Sequence, residues 1–160
     1  MKPIAVDLTI PLDELDTQSL LSDWRWLVPS DYIPIQMNKF GWWFLANSVG
    51  HIFLLDHIEG GLQCIARSLT EFNEKKKNED IQSDWFQDGF ILRCHREGPI
   101  LGPGQCYMWK IPPILGGKFQ HENISVASLR VCQSLMGQLF RQIAEKGPGL
   151  NVTGFTLDKG

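Results

Sequence analysis

The hydrophobic residues of this chain change their spacing once, and that change limits the fold more than any motif does. Between Trp42 and Ala66 they come in short runs, 42–46, 51–57 and 62–66, separated by Asn47-Ser48-Val49-Gly50 and Glu59-Gly60-Gly61. Short apolar runs bounded by Gly- and Asn-containing turns read as strands of an antiparallel meander. Beyond Ser128 the apolar residues are Leu129, Cys132, Leu135, Met136, Leu139 and Ile143. Their three- and four-residue steps form the stripe of an amphipathic helix. Sheet face and helix stripe must each bury against something, and their segregated order predicts an α+β fold.

The remaining elements fit around that frame. Asp16 or Thr17 is placed to cap a helix reaching Leu27, with Leu20, Leu21, Trp24 and Leu27 at helical spacing. Ser68-Leu69-Thr70-Glu71 has the spacing of a capping box. Lys75 to Asp80 reads as a solvated helix end or loop, and Ser83 or Asp84 as the start of a helix through Cys94. A strand is expected at Gln105 to Ile111, a stop at Gly147-Pro148-Gly149 and an edge strand at Val152 to Leu157. The expected architecture is α+β. An antiparallel β-sheet, the N-terminal meander plus a later strand, packs with N-terminal, middle and C-terminal helices. At 160 residues the chain is expected to form one domain over 1–160, with no internal repeat.

Composition narrows the function. Lys and Arg number 15 against 18 Asp and Glu, a formal charge of -3. An electrostatic nucleic-acid binder usually has a pI above about 9, so no nucleic-acid partner is expected. No run approaches the ~18 apolar residues of a membrane span. Asp13, Glu14 and Asp16 interrupt any signal-peptide core, so a cytoplasmic location without membrane contact is expected. Cys64, Cys94, Cys106 and Cys132 are widely spaced with no C-x-x-C pair, a pattern suited to reduced thiols. Charge is uneven: Asp7, Asp13, Glu14, Asp16, Asp23 and Asp31 face only Lys2 and Arg25 in the first 31 residues. From Gly98 onward basic residues outnumber acids, so head and tail have the charges to pair with each other.

Tests for catalytic chemistry find little. His51 and His57 lie six residues apart, ~20 Å along a strand, and Asp56 points away from His57, so no shared metal ion is expected. Cys94-His95 are sequence neighbours without a shared direction, and Cys106 after Gly102-Pro103-Gly104 reads more readily as a small buried hydrophobe. Leu115-Gly116-Gly117-Lys118 lacks the remainder of a phosphate loop. Neither a cofactor nor a metal is expected. Trp42 and Trp43, as strand neighbours, face opposite sides: one is core and the other an interface anchor, or helices bury both.

One segment is more distinctive: Pro103-Gly104-Gln105-Cys106-Tyr107-Met108-Trp109-Lys110-Ile111-Pro112-Pro113-Ile114-Leu115-Gly116-Gly117. Glu122-Asn123 and Leu135-Met136-Gly137-Gln138 follow it. Trp24-x-Trp26-Leu27, Phe40-Gly41, Leu55-Asp56, Glu59-Gly60 and Glu71-Phe72 precede it. Together these resemble the C-terminal domain of type VI secretion DNase-immunity proteins, over about residues 20–149. The resemblance implies a protein that neutralises a cognate toxin by binding it, without being an enzyme. In better-known members a separate N-terminal module precedes this domain. Cys132-Gln133 and Phe140-Arg141 stand where the family tends to carry histidines, so a role resting on those imidazoles does not carry over.

Two sets of residues are expected to matter. A nuclease-facing immunity surface is often acidic, which directs attention to Asp13, Glu14, Asp16 and Asp23, with Trp42 and Trp43 as aromatic anchors. The motif set is Gln105, Tyr107, Trp109, Lys110, Gly116, Gly117, Asn123 and Gln138. In a strand, Gln105, Tyr107 and Trp109 share one face, which either presents amide, phenol and indole to a partner or packs the sheet on the last helix. The alternative function is a general interaction or small-ligand module, with the 105–110 strand lining a pocket. An enzyme using Cys106 or a histidine site is the third reading.

Overall fold

The computed structural model describes residues 6–146. The Gly147-Pro148-Gly149 stop and the edge strand expected at Val152 to Leu157 lie outside them. Asp16 caps α1 (Thr17–Leu20), its carboxylate accepting from the Ser19 N–H at 3.1 Å. The helix does not continue to Leu27. Ser22 Oγ donates to the Ser19 carbonyl at 2.7 Å, a local bond that competes with the helical ladder. The chain tightens into a 3₁₀ turn, Ser22–Trp24.

Four strands follow: β1 (Ile33–Met37), β2 (Trp43–Ala46), β3 (Ile52–Leu55) and β4 (Leu62–Ala66), antiparallel in the order 1-2-3-4. The expected meander is β2 to β4. Pro34 hid β1, since proline argues against a strand except at an edge, and β1 is the edge, with its register slipping between Pro34 and Gln36. The turns are pinned by side chains. Asn47 Oδ1 accepts from the Val49 and His51 N–H groups, and Asp56 Oδ1 from those of Ile58 and Glu59.

Ser68 caps α2 (Leu69–Lys75), its Oγ accepting from the Glu71 N–H at 3.1 Å. The reciprocal half of the capping box is displaced by one residue, because Glu71 Oε2 accepts from Arg67 N–H. The middle helix expected from Ser83 or Asp84 is instead two helices, α3 (Glu79–Phe86) and α4 (Asp88–Glu97). Asn78 starts α3 by accepting from the Asp80 and Ile81 N–H groups. Gln87, at φ 54, divides the pair.

The later strand, β5 (Gln105–Trp109), does not extend the meander. It pairs antiparallel with β6 (Ile124–Ser128) in a second sheet, Gln105 opposite Ser128 and Trp109 opposite Ile124. β6 carries Ser125 and Ser128 in a short stretch without a clear apolar run, which kept it out of the pattern. α5 (Leu129–Lys146) is the expected amphipathic helix, with Ser128 Oγ accepting from Val131 N–H at its start.

Two apolar clusters lie on either side of the meander. Leu21, Trp24, Trp43, Leu45, Leu55, Cys106, Cys132, Met136 and Leu139 form one, between the N-terminal turn, the sheet and α5. Phe40, Trp42, Phe44, Phe72, Trp85, Phe86, Tyr107 and Trp109 form the other, under α2 to α4. β5 serves both, as strand alternation requires: Cys106 joins the first, Tyr107 and Trp109 the second.

Candidate protein-recognition surface

Gln133, on α5, is a buried polar group whose side chain is fully engaged in the interior. Its Oε1 accepts from both Trp24 Nε1 and Trp43 Nε1 at 2.9 Å, and its Nε2 donates to the Gly41 carbonyl at 2.7 Å. One amide thereby joins the N-terminal turn, the meander and the last helix. The His57 ring stacks on Trp24, with centroids 5.6 Å apart and planes 10° apart, and His57 Nδ1 lies 3.9 Å from Cys132 Sγ. The Cys106 thiol bonds toward Cys132, and that bond together with burial pushes Cys106 well up. The same bond, with help from His57, holds Cys132 down. Both thiols are fully buried. Without an accessible face such a thiol packs and hydrogen-bonds; it does not attack a substrate. Among the described residues no group of three His, Cys, Asp or Glu is placed to hold a metal ion.

The motif after β5 builds a rigid loop. Asn123 Oδ1 accepts from Ile111 N–H at 3.0 Å, while Nδ2 donates to the Ile111 and Lys118 carbonyls at 2.9 and 3.0 Å. Gly117 has to be glycine because a Cβ would run into the Ile111 carbonyl, and Gly116 turns the chain at φ 92. Gln105 Oε1 accepts from Gly102 N–H at 2.7 Å, which closes the preceding turn. Gln138 Nε2 donates to Ser134 Oγ one helical turn back. Lys110 is exposed. The clamped loop carries four large apolar side chains that face solvent: Ile111, Ile114, Leu115 and Phe119, between 37% and 55% exposed.

The expected anchors need correction. Trp42 and Trp43 are 3% and 0% exposed, so both indoles are core and neither offers a surface to a partner. Tyr107 and Trp109 are likewise buried, packed on Phe40 with centroids 5.8 and 5.4 Å away. Their face of β5 closes the second cluster and does not present phenol and indole outward. Burial, with a Cys94 contact added, pushes the Tyr107 phenol up to about 12, and its hydroxyl donates to the Pro99 carbonyl at 2.8 Å.

The acids stand differently. Asp13, Glu14 and Asp16 are exposed and Asp23 is half-buried. Asp16 is occupied as the α1 cap. Among the described residues, no Lys or Arg forms an ion pair with Asp13, Glu14, Asp16 or Asp23. Head and tail do meet, but through Arg130 Nη2 on Ser19 Oγ at 3.0 Å, which leaves the carboxylates unneutralised. That contact sits by the Gln105–Ser128 end of the second sheet, whereas the apolar loop leaves its Trp109–Ile124 end. About 14 Å of strand separates the two features.

Sequence reasoning missed the exposed loop residues and the Gln133 centre. The loop was legible in principle, since Ile111, Ile114, Leu115 and Phe119 sit among Pro and Gly with no period that would give them an interior side. Gln133 had no local signal, because its partners are 90 to 109 residues away.

No curated protein matches the chain. The fold is similar to that in the crystal structure of Atu4351 from Agrobacterium tumefaciens, with a TM-score of 0.54 and 19% sequence identity. The match covers 75% of this chain and 60% of that one, so this chain spans about three-fifths of that protein's length. The likeness is one of fold. The model of the family described as T6SS immunity protein Tdi1, C-terminal, matches residues 66–140, which bears out over that stretch, from the end of β4 into α5, the resemblance read from the sequence.

Proposed function

We propose that this chain is an immunity protein that binds a cognate type VI toxin, a secreted nuclease, and neutralises it without turnover. It acts in the cytoplasm, covering the toxin's active site or blocking its assembly. The observation that carries this reading is the immunity-family match over residues 66–140. Two surface features support it. The unpaired carboxylates Asp13 and Glu14 suit a phosphate-binding, hence basic, cleft and would speed encounter with it. The clamped loop, with Ile114 and Leu115 outward, supplies the pre-ordered apolar anchor that concentrates binding energy in protein interfaces.

The small-ligand alternative has less to stand on. Among the described residues, two hollows lined by β5 side chains measure ≈ 10 and ≈ 130 Å³, against about 300–1,000 Å³ for ordinary ligand pockets. The test is association kinetics with a catalytically inactive form of the toxin. Asp13→Lys with Glu14→Lys is expected to slow association about tenfold at low salt and much less at high salt. Ile114→Asp is expected to speed dissociation at least tenfold. Unchanged rates in both variants would contradict the placement of the surface, and no complex with the parent protein would contradict the function.

A further inference from the structure

Four buried side-chain polar atoms among the described residues lack a protein partner: Gln36 Oε1, Trp42 Nε1, His57 Nε2 and Trp109 Nε1. Trp42, His57 and Trp109, each 3% exposed, line one interior cavity of ≈ 10 Å³ together with Phe40, Met108 and Met136. That volume is the size of a single water molecule, and such a water needs about two to four polar partners. An indole N–H left unpaired in the interior gives up its hydration without replacement, so two beside one water-sized space are a specific arrangement. The three residues come from separate parts of the chain: the position just before β2, the turn after β3, and β5.

We infer that this cavity is a binding site for one internal water, which accepts from Trp42 Nε1 and Trp109 Nε1 and donates to His57 Nε2. The assignment follows from donor counting. An indole nitrogen only donates, so the two indoles fill both lone pairs of the water oxygen. His57 Nε2 must then accept, which makes the ring neutral with its proton on Nδ1. That proton points toward Cys132 Sγ, 3.9 Å away. The water therefore fixes the tautomer of the imidazole stacked on Trp24 and joins the two apolar clusters by a polar bridge. A monatomic anion would accept from both indoles but would need a donor at His57 Nε2, the opposite tautomer or a charged ring.

The test uses the full chain in two measurements. In a crystal structure, a density peak is expected within hydrogen-bond reach, about 2.7–3.2 Å, of all three nitrogens. In solution, long-range proton–nitrogen correlation is expected to show the Nδ1–H tautomer of His57. The indole protons of Trp42 and Trp109 are expected to give cross-peaks to a long-lived water, and Trp109→Phe to remove its own and weaken the one at Trp42. An empty cavity, an Nε2–H or doubly protonated His57, or an anomalous peak there after bromide soaking would overturn the assignment.

Discussion

Replacing Gly137 by alanine sets two effects of opposite sign against each other. Gly137 lies inside α5, and alanine in a helix interior is favoured over glycine by about 1 kcal/mol. The space opposes it. A Cβ at this position would sit 2.6 Å from the Asp23 carbonyl oxygen and 2.9 Å from Asp23 C and Cβ. Those atoms belong to the 3₁₀ turn Ser22–Trp24, which has little room to retreat. Trp24 is fully buried with its indole on Gln133, and Trp26 Nε1 donates to the Gly137 carbonyl itself at 3.2 Å. Overpacking costs about 1–3 kcal/mol, and strain on two hydrogen bonds adds about 1 kcal/mol. The net expectation is destabilisation by about 1–3 kcal/mol. Gly89→Ala is the control: no atom lies within 4 Å of its added Cβ, and it sits in α4, so a gain of at most about 1 kcal/mol is expected. Urea unfolding followed by Trp fluorescence reads both, with midpoints moving in opposite directions. A Gly137→Ala midpoint equal to or above the parent would refute the close packing of the N-terminal turn on α5.

Gln133→Leu leaves two indole N–H groups and the Gly41 carbonyl without their partner, and a loss of about 3–6 kcal/mol is expected. A midpoint shift worth less than about 1 kcal/mol would contradict its central place. Thiol titration under native conditions should modify Cys64 alone and all four cysteines in urea, because Cys94, Cys106 and Cys132 are buried; a second fast native thiol would contradict that burial. Tyr107 gives a pH signature at the alkaline end. The folded chain keeps its proton up to about 12, whereas an unfolded phenol releases it near about 10. The stability linked to Tyr107 is therefore intact below about 10 and is lost as pH rises through about 12. Tyr107→Phe should flatten that part of the pH–stability curve, and an unchanged slope there would count against the shift.

The parts legible in the sequence were those governed by local pattern. The β2 to β4 meander, the Asp16 and Ser68 caps and the α5 stripe each follow from residues within a few positions of one another. What escaped depends on distance. β1 looked broken by Pro34 until its place at the sheet edge made the proline harmless. β6 is specified by its pairing with β5, and α3 by the Asn78 cap inside a run of charge that reads as solvated chain. Trp42 and Trp43 could be placed on opposite faces from alternation, but only the helices on both sides decide that both are buried. Similarly, the motif residues divide by environment: Asn123 and Gly117 shape the loop, while Tyr107 and Trp109 are buried in the second apolar cluster. The apolar residues that the loop leaves exposed are Ile111, Ile114, Leu115 and Phe119.

The proposed role, neutralising a toxin by binding it, has a functional readout. The most direct measurement titrates the active nuclease toxin with this protein and follows DNA cleavage, with complex stoichiometry read in parallel by light scattering. The expected result is a stable complex of defined ratio and cleavage falling linearly to zero at that ratio. Cleavage that continues unchanged at saturating protein would rule out neutralisation by binding.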